Sequence, residues 1–222
     1  MNILLFGATG MVGQGALREC LLDPAVRRVV TVGRRSTGER NAKLRELVVP
    51  DVSDLSSIEQ ELTGFDATLF CLGVSSAGMS EKEYTAVTHD LTISVARTLS
   101  RLNPAMTFIH VTGMGTDSSE RGKVMWARVK GRTENGLLRL PFKAAYMFRP
   151  GAIVPLHGIR SRTTWVQAII SITRPILPLL KKLFPNQVTT TEELGRAMLA
   201  VARDGYIKPV LEPGDITSFG DQ

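Results

Sequence analysis

The sequence is poor in the residues that staple or metallate small proteins. Of its 222 residues only two are cysteine, Cys20 and Cys71, and three are histidine. Neither cysteine sits in a CxxC pair or a Cys/His cluster, which excludes a disulfide framework and a structural zinc site and fits reduced thiols. Long hydrophobic runs are missing too. The most apolar stretch, Trp165 to Phe184, is broken by Arg174, Pro175, Pro178 and the Lys181-Lys182 pair, whereas a spanning helix needs about 20 mostly apolar residues. No membrane span is expected, and a pocket lid or subunit contact is favoured over rest on a membrane surface. Internal repeats and low-complexity linkers are absent. The start, Met1 to Gly7, has no basic segment and too short an apolar run for a secretory signal. With the unpaired thiols, this predicts a cytoplasmic protein.

What is present reads as an ordinary globular chain, 43% hydrophobic and 22% charged. Disorder and collagen-like architectures are excluded, and the length suits one domain spanning 1–222. A formal net charge of +6 favours anionic partners such as phosphates. The basic residues Arg121, Lys123, Arg128, Lys130 and Arg132 accompany no recognised nucleic-acid-binding motif, so nucleic acid is not expected as a partner. A small-molecule substrate is, and self-association is left open.

Strand and helix patterns alternate. Ile3–Phe6, Arg28–Val32, Leu44–Val49, Ala67–Leu72, Thr107–Thr112 and Ala144–Phe148 read as strands. Helices are predicted over Met11–Leu22, Ser53–Leu62, Ser80–Leu102, Gly122–Leu140 and Thr191–Arg203, with a Ser80/Glu83 capping box and Thr190 or Thr191 as a cap. This order calls for an α/β fold with a doubly wound parallel sheet and helices on both faces. After Arg149-Pro150-Gly151 the pattern changes. Residues 151–190 carry Pro155, Pro175, Pro178 and Pro185 and are read as a small substrate-side cover rather than a second domain.

Between the first strand and the first helix lies Gly7-Ala8-Thr9-Gly10-Met11-Val12-Gly13. Gly7 permits a sharp exit from the strand, Gly10 lets a pyrophosphate approach the backbone, and Gly13 lets helix pack on strand. The helix N-terminus then offers free N–H groups to an anion. The second strand runs into Gly33-Arg34-Arg35-Ser36. An NAD site usually places an acid there for the ribose hydroxyls; two guanidinium groups suit a 2′-phosphate instead. NADP, with NADPH preferred over NADH, is the predicted cofactor. Asp51 could hold an adenine amino group or simply make a turn.

The segments Phe6–Gly13, Val32–Arg35, Cys71–Gly73, Val129–Gly131 with Glu134, Phe148–Gly151 and Arg196–Leu199 resemble the atypical short-chain dehydrogenase/reductase superfamily. The likeness is to small NAD(P)H-binding proteins related to nucleotide-sugar epimerases and to the Tat-interacting-protein-like oxidoreductases. It implies a Rossmann-type fold, a cofactor lined by Val52 and by Cys71, Leu72 and Gly73, and a nicotinamide approached by Pro150, Gly151 and Ile153.

The resemblance also implies a Ser, Tyr and Lys set with Tyr and Lys at YxxxK. This chain has Trp126-Ala127-Arg128-Val129-Lys130, so Lys130 is kept and the tyrosine position holds Trp126. The serine position falls at Thr112 or Gly113, with Ser118 and Ser119 nearby. Indole has no proton to give near neutrality, and loss of a positioned acid costs about 10²–10⁴-fold. Tyr84, His89, His157 or Lys130 itself are the alternative donors; His110 reads as a core histidine, and Lys130 with Glu134 as an i,i+4 helix pair. The leading expectation is hydride transfer, oxidoreductase or epimerase-like, on a small carbonyl or conjugated substrate. The other is a non-catalytic NADPH-binding redox sensor or interaction module.

Overall fold

The computed structural model describes residues 1–159 and 186–219. The Trp165–Phe184 stretch and most of the expected cover lie outside the described residues. The first strand, β1 (Asn2–Phe6), leads into α1 (Met11–Leu22), β2 (Arg28–Gly33) and β3 (Leu44–Val48). A short 3-10 helix (Ser56–Leu62) precedes β4 (Ala67–Phe70). A long helical run follows as α2 (Glu81–Thr85), a π-helical turn (Ala86–Asp90) and α3 (Leu91–Leu102). Then come β5 (Thr107–Val111), α4 (Met125–Leu138), β6 (Ala144–Phe148) and β7 (Ala152–Val154). The chain closes with β8 (Val188–Thr190), α5 (Thr191–Asp204), β9 (Val210–Leu211) and α6 (Pro213–Thr217).

Seven strands form one parallel sheet in the order β3-β2-β1-β4-β5-β6-β9. Alternation along β1 sorts its side chains between two cores. Ile3 and Leu5 join Leu17 and Cys20 of α1 and Leu194, Met198 and Val201 of α5. Leu4 and Phe6 join Val95 and Leu99 of α3 and Leu137 of α4. Side chains buried on both faces are what a fully covered parallel sheet requires. On the α3/α4 side, Phe6, Phe70 and Phe108 stack across adjacent strands at 5.4 and 5.7 Å. The doubly wound Rossmann-type expectation is met.

Three helices differ from their sequence reading. The Ser80/Glu83 capping box forms, but the helix it starts loosens into π geometry at Ala86–Asp90 before continuing. Over Ser53–Leu62, the carboxylates of Asp51 and Asp54 instead accept from the Ser53 and Ser56 N–H groups at 2.8 and 3.0 Å. Side-chain oxygens that bond their own backbone two residues on favour turns over helix, and only Ser56–Leu62 is helical. The fourth helix starts at Met125, because Asp117 folds residues 117–122 into a strap by accepting from the N–H groups of Ser119 and Gly122 at 3.0 and 2.6 Å.

That strap packs hard on α4: a Cβ added at Gly131 would lie 1.7 Å from the Asp117 carbonyl oxygen. Gly131→Ala must therefore push strap and helix apart, and overpacking of this kind costs typically about 1–3 kcal/mol. In thermal unfolding it should lower the Tm by several degrees, whereas Gly33→Ala, whose nearest neighbouring atom would be 3.8 Å away, should shift it much less.

Candidate cofactor and substrate site

The strand order reverses between β1 and β4, and the glycine loop sits at that point. Gly7 adopts φ +80°, and its missing Cβ would fall 2.7 Å from the Cys71 carbonyl carbon at the end of β4. The Gly10 N–H closes the turn on the Gly7 carbonyl at 2.9 Å. A Cβ on Gly13 would lie 2.0 Å from that same oxygen. No side chain caps α1 and its first turn holds no acid, so the N–H groups of Met11, Val12 and Gly13 begin an uncapped helix. Such an end attracts phosphate.

Beside it lies a cavity of about 300 Å³ whose wall includes Gly7, Thr9, Arg34, Arg35, Val52 and Leu72. Residues dispersed from 7 to 72 are thus brought together. Neither Arg34 nor Arg35 has a carboxylate within 4.0 Å among the described residues. The loop after β2 is held by Glu46, which the sequence reading missed. From β3, opposite Thr31, its carboxylate accepts from the Ser36 hydroxyl at 2.5 Å and from Thr37 N–H and hydroxyl at 2.7 and 2.6 Å. Burial pushes the Glu46 carboxyl up, but the hydrogen bonds from Ser36, Thr37 and Thr31 outweigh it and hold it below the ordinary range. The Glu46 carboxylate is thus spent on shaping the loop that carries the arginines.

Other expected residues have different work. The Asp51 carboxylate is exposed and bound by Ser53 N–H, so its place is the turn, and its neighbour Val52 reaches the cavity. Gly73 has open space around it. The Cys71 backbone is pressed on Gly7, and burial pushes its thiol up to about 12; burial likewise raises Cys20. Both thiols stay protonated and unreactive. Pro150 anchors the loop after β5 by accepting from Met114 N–H at 2.9 Å. Gly151 is required by a neighbour, since its Cβ would lie 2.3 Å from the Gln187 carbonyl oxygen. Ile153 pairs with Thr189 in a two-stranded parallel sheet, β7 with β8, and packs on the α1/α5 core. The described contacts of Gly151 and Ile153 are packing contacts.

At the end of β5 the Lys130 ammonium donates to the Thr112 carbonyl at 2.7 Å and lies 5.8 Å from the Trp126 ring centroid. Burial lowers the Lys130 pKa, and the Glu134 charge pulls it back up. A Cβ on Gly113 would come 3.5 Å from Lys130 Nζ. The altered triad positions therefore do converge. The hydroxyl of Thr112 does not serve there: it gives its one proton to Glu134 Oε1 at 2.6 Å, with the Phe148 carbonyl oxygen 3.2 Å away. This corrects its reading as the carbonyl-polarising hydroxyl. Glu134 is buried, and its partner is Arg149 rather than Lys130. Arg149 Nε donates to both Glu134 oxygens at 3.1 and 3.2 Å, and Nη2 makes a further short bond. Arg149 also reaches Ser118 Oγ at 2.5 Å and Glu212 at 2.9 Å. One guanidinium thus joins β6, the strap, α4 and the start of α6.

The alternative proton donors are engaged elsewhere. Tyr84 is buried, His89 faces Asp90 at 2.8 Å, and His157 pairs with Glu192 at 2.5 Å. His110 is buried against Phe70, and its Nδ1 has no hydrogen-bond partner among the described residues. Burial first, and the Lys130 charge second, push its pKa down to about 3.

Comparisons with known proteins agree with this fold. The profile of the NAD dependent epimerase/dehydratase family matches residues 3–120, ending short of the helix that carries Trp126 and Lys130. Protein fmp52, mitochondrial, of Emericella nidulans is 31% identical over 159 residues, covering 68% of this chain and 66% of the relative. This chain therefore spans somewhat under two thirds of that relative's length. FMP52 of Candida albicans, also named mitochondrial, is 24% identical over 77% of this chain and 81% of its own. Among solved structures, the dTDP-glucose 4,6-dehydratase DesIV of Streptomyces venezuelae, with NAD and TYD bound, superposes with TM-score 0.70. That match is 15% identical and covers all of this chain and 80% of that one. A short chain dehydrogenase family protein of Francisella tularensis gives 0.66 at 15% identity, covering 98% of both. At these identities the likeness is one of fold.

The relatives' names overturn the cytoplasmic placement. Unpaired thiols report a reducing environment, and that is not one compartment.

Two outcomes follow from the buried charges. Glu134→Ala leaves Arg149 without its main counter-charge, and breaking a buried pair from one side costs about 3–5 kcal/mol, measurable by urea denaturation. His110 has the opposite pH logic to a paired histidine. The unfolded chain takes up a proton near pH 6.5, while the folded chain resists until about 3. Stability is therefore full above about 6.5 and falls as pH drops toward 3, at about 1.4 kcal/mol per pH unit. Denaturation at pH 6.5 and 5 should show that slope, and His110→Phe should flatten it.

Proposed function

The chain belongs to the NAD dependent epimerase/dehydratase family, and from that premise we propose that it is an NADP(H)-dependent oxidoreductase of the atypical short-chain type. The observation that carries the reading is one cavity walled by the glycine turn and by two arginines that have no carboxylate within 4.0 Å among the described residues. The residues fit the group. The N-terminus of α1, with Gly10, Met11, Val12 and Gly13, would take the pyrophosphate, and Arg34 and Arg35 a 2′-phosphate. Thr9, Val52 and Leu72 would line the adenosine, and Lys130 the ribose. When bound, the nicotinamide supplies or accepts a hydride.

This chain's own contribution is positioning and charge. Lys130 is held by the Thr112 carbonyl, which fixes a cation beside Gly113. Trp126 supplies a flat apolar face where the resemblance expects a proton donor. The substrate of this reading is a small carbonyl or conjugated compound whose reduction can draw its proton from water.

A second reading, NADPH binding without turnover, is favoured by one pair of facts. The tyrosine position is Trp126, and the hydroxyl of Thr112 is tied to Glu134. Turnover with any quinone or carbonyl acceptor that is lost in Lys130→Ala decides for the enzyme; a full panel without turnover decides for the binding module.

The cofactor test is calorimetric. NADPH should bind wild type at least tenfold more tightly than NADH, and Arg34→Ala should remove that preference while leaving NADH affinity within about twofold. Equal binding of the two cofactors by wild type would put the arginines in solvent and void the NADP assignment.

A further inference from the structure

The arginines of the proposed phosphate site stand on a loop with space on both sides of it. Arg34 and Arg35 line the cavity of about 300 Å³ beside the glycine turn. Ser36, Glu39 and Asn41, farther along the same loop, line a second cavity of about 700 Å³ that runs along the face of α1 carrying Leu17 and Leu21. Ala8, Thr9 and Thr37 line both. Residues 34–36 and 38–40 are exposed, so packing does little to hold the loop in place.

What holds it is hydrogen bonding that converges on one carboxylate. Glu46 is half-buried on the edge strand β3. It accepts from Ser36 Oγ at 2.5 Å, from Thr37 N–H at 2.7 Å and from Thr37 Oγ1 at 2.6 Å. Thr31 adds a hydroxyl from β2. An ionised carboxylate has about four acceptor sites, and these donors fill them. Each loop hydroxyl, its proton given to Glu46, turns its lone pairs to the backbone. Ser36 Oγ accepts from Gly38 N–H at 3.0 Å, and Thr37 Oγ1 from Glu39 N–H at 3.1 Å. Glu46 therefore sets the hydroxyl directions on which the 36–39 turn depends, with Gly38 at φ +81° inside it.

Two effects of opposite sign meet at this residue. As a charge, Glu46 repels a phosphate held by the loop, so its removal alone would tighten NADPH. As a clamp, it orders in advance two arginines whose immobilisation would otherwise count against binding. Repulsion through solvent is screened over about 10 Å, whereas an unclamped loop has free volume on either side to swing into. The clamp is the larger effect.

We propose that Glu46 is the positioning residue that sets discrimination for a 2′-phosphorylated dinucleotide, acting through Ser36 and Thr37 on Arg34 and Arg35. The proposal rests on the NADP(H) reading above and names the residue on which its cofactor specificity depends.

The test is calorimetric titration of the full chain with NADPH and with NADH, on wild type, Glu46→Gln, Glu46→Ala, Ser36→Ala and the Glu46→Gln/Ser36→Ala double variant. Glu46→Gln keeps the shape and loses the charge. It should lower the NADPH-over-NADH preference at least about fivefold while NADH affinity stays within about twofold. Glu46→Ala should do the same. Ser36→Ala should lower the preference less, and in the double variant its effect should not add to that of Glu46→Gln, as for residues of one hydrogen-bond network. A preference kept within about twofold in both Glu46 variants overturns the proposal. So does a gain of NADPH affinity in Glu46→Gln, which would leave Glu46 only its charge. A parallel loss of both cofactors also overturns it, because that marks a fold defect and not discrimination. Equal binding of the two cofactors by wild type sinks the NADP reading and this proposal together. A preference that Arg34→Ala removes and both Glu46 variants keep overturns this proposal alone.

Discussion

Three backbone segments meet at the carboxyl end of β1 at distances that leave no room for a Cβ, and the cofactor end of the molecule is built on that approach. Gly7 faces the β4 carbonyl of Cys71, and Gly13 faces the Gly7 carbonyl. A methyl group at either place would have to lift α1 from the strand or push β1 from β4. The contact fixes where the uncapped helix end points and how far it stands from the loop after β2. Cavity, helix terminus and arginines are therefore one geometric unit, with Glu46 bracing its far side through Ser36 and Thr37.

A second set of interactions braces the opposite end of the cleft with charge instead of close backbone contact. Arg149 is the hub, with Glu134, Ser118 and Glu212 around it. A bidentate guanidinium–carboxylate pair is directional as well as strong. It orients Glu134 to accept from Thr112, whose carbonyl in turn holds Lys130. The hydroxyl that a triad would point at substrate is thereby turned inward. The site therefore presents Lys130 as a fixed cation and no free hydroxyl at Thr112.

Much of the fold was legible because its signals are local. The six strands first read, the glycine turn after β1 and the arginines after β2 are each legible within a few residues, and they stand where the pattern put them. The misreadings share one cause, which is tertiary partnership. Lys130 and Glu134 look like a surface pair at i,i+4 spacing, but periodicity does not reveal that Arg149 arrives from another strand. Glu46 gives no signal, since an acid within a strand at the sheet edge reads as solvated. The later start of the fourth helix, at Met125 rather than Gly122, follows from Asp117, whose carboxylate binds two backbone N–H groups and so competes with helix for them.

The strand order also sets the first helix against the last long one. Gly15 of α1 lies under Thr191, where a Cβ would come 2.6 Å from the Thr191 carbonyl, and Gly195 of α5 lies over Glu19. Leu17 and Cys20 share their core with Leu194, Met198 and Val201. During synthesis α1 emerges well before α5, with β2 to β8 made in between. At about 5–20 residues per second, a nascent chain that already holds β1 to β6 waits for some seconds with one apolar face of α1 and of the sheet uncovered. The half-made protein is thus sticky for a defined interval, and its exposure to aggregation is timed by translation rather than by the folding of any one element.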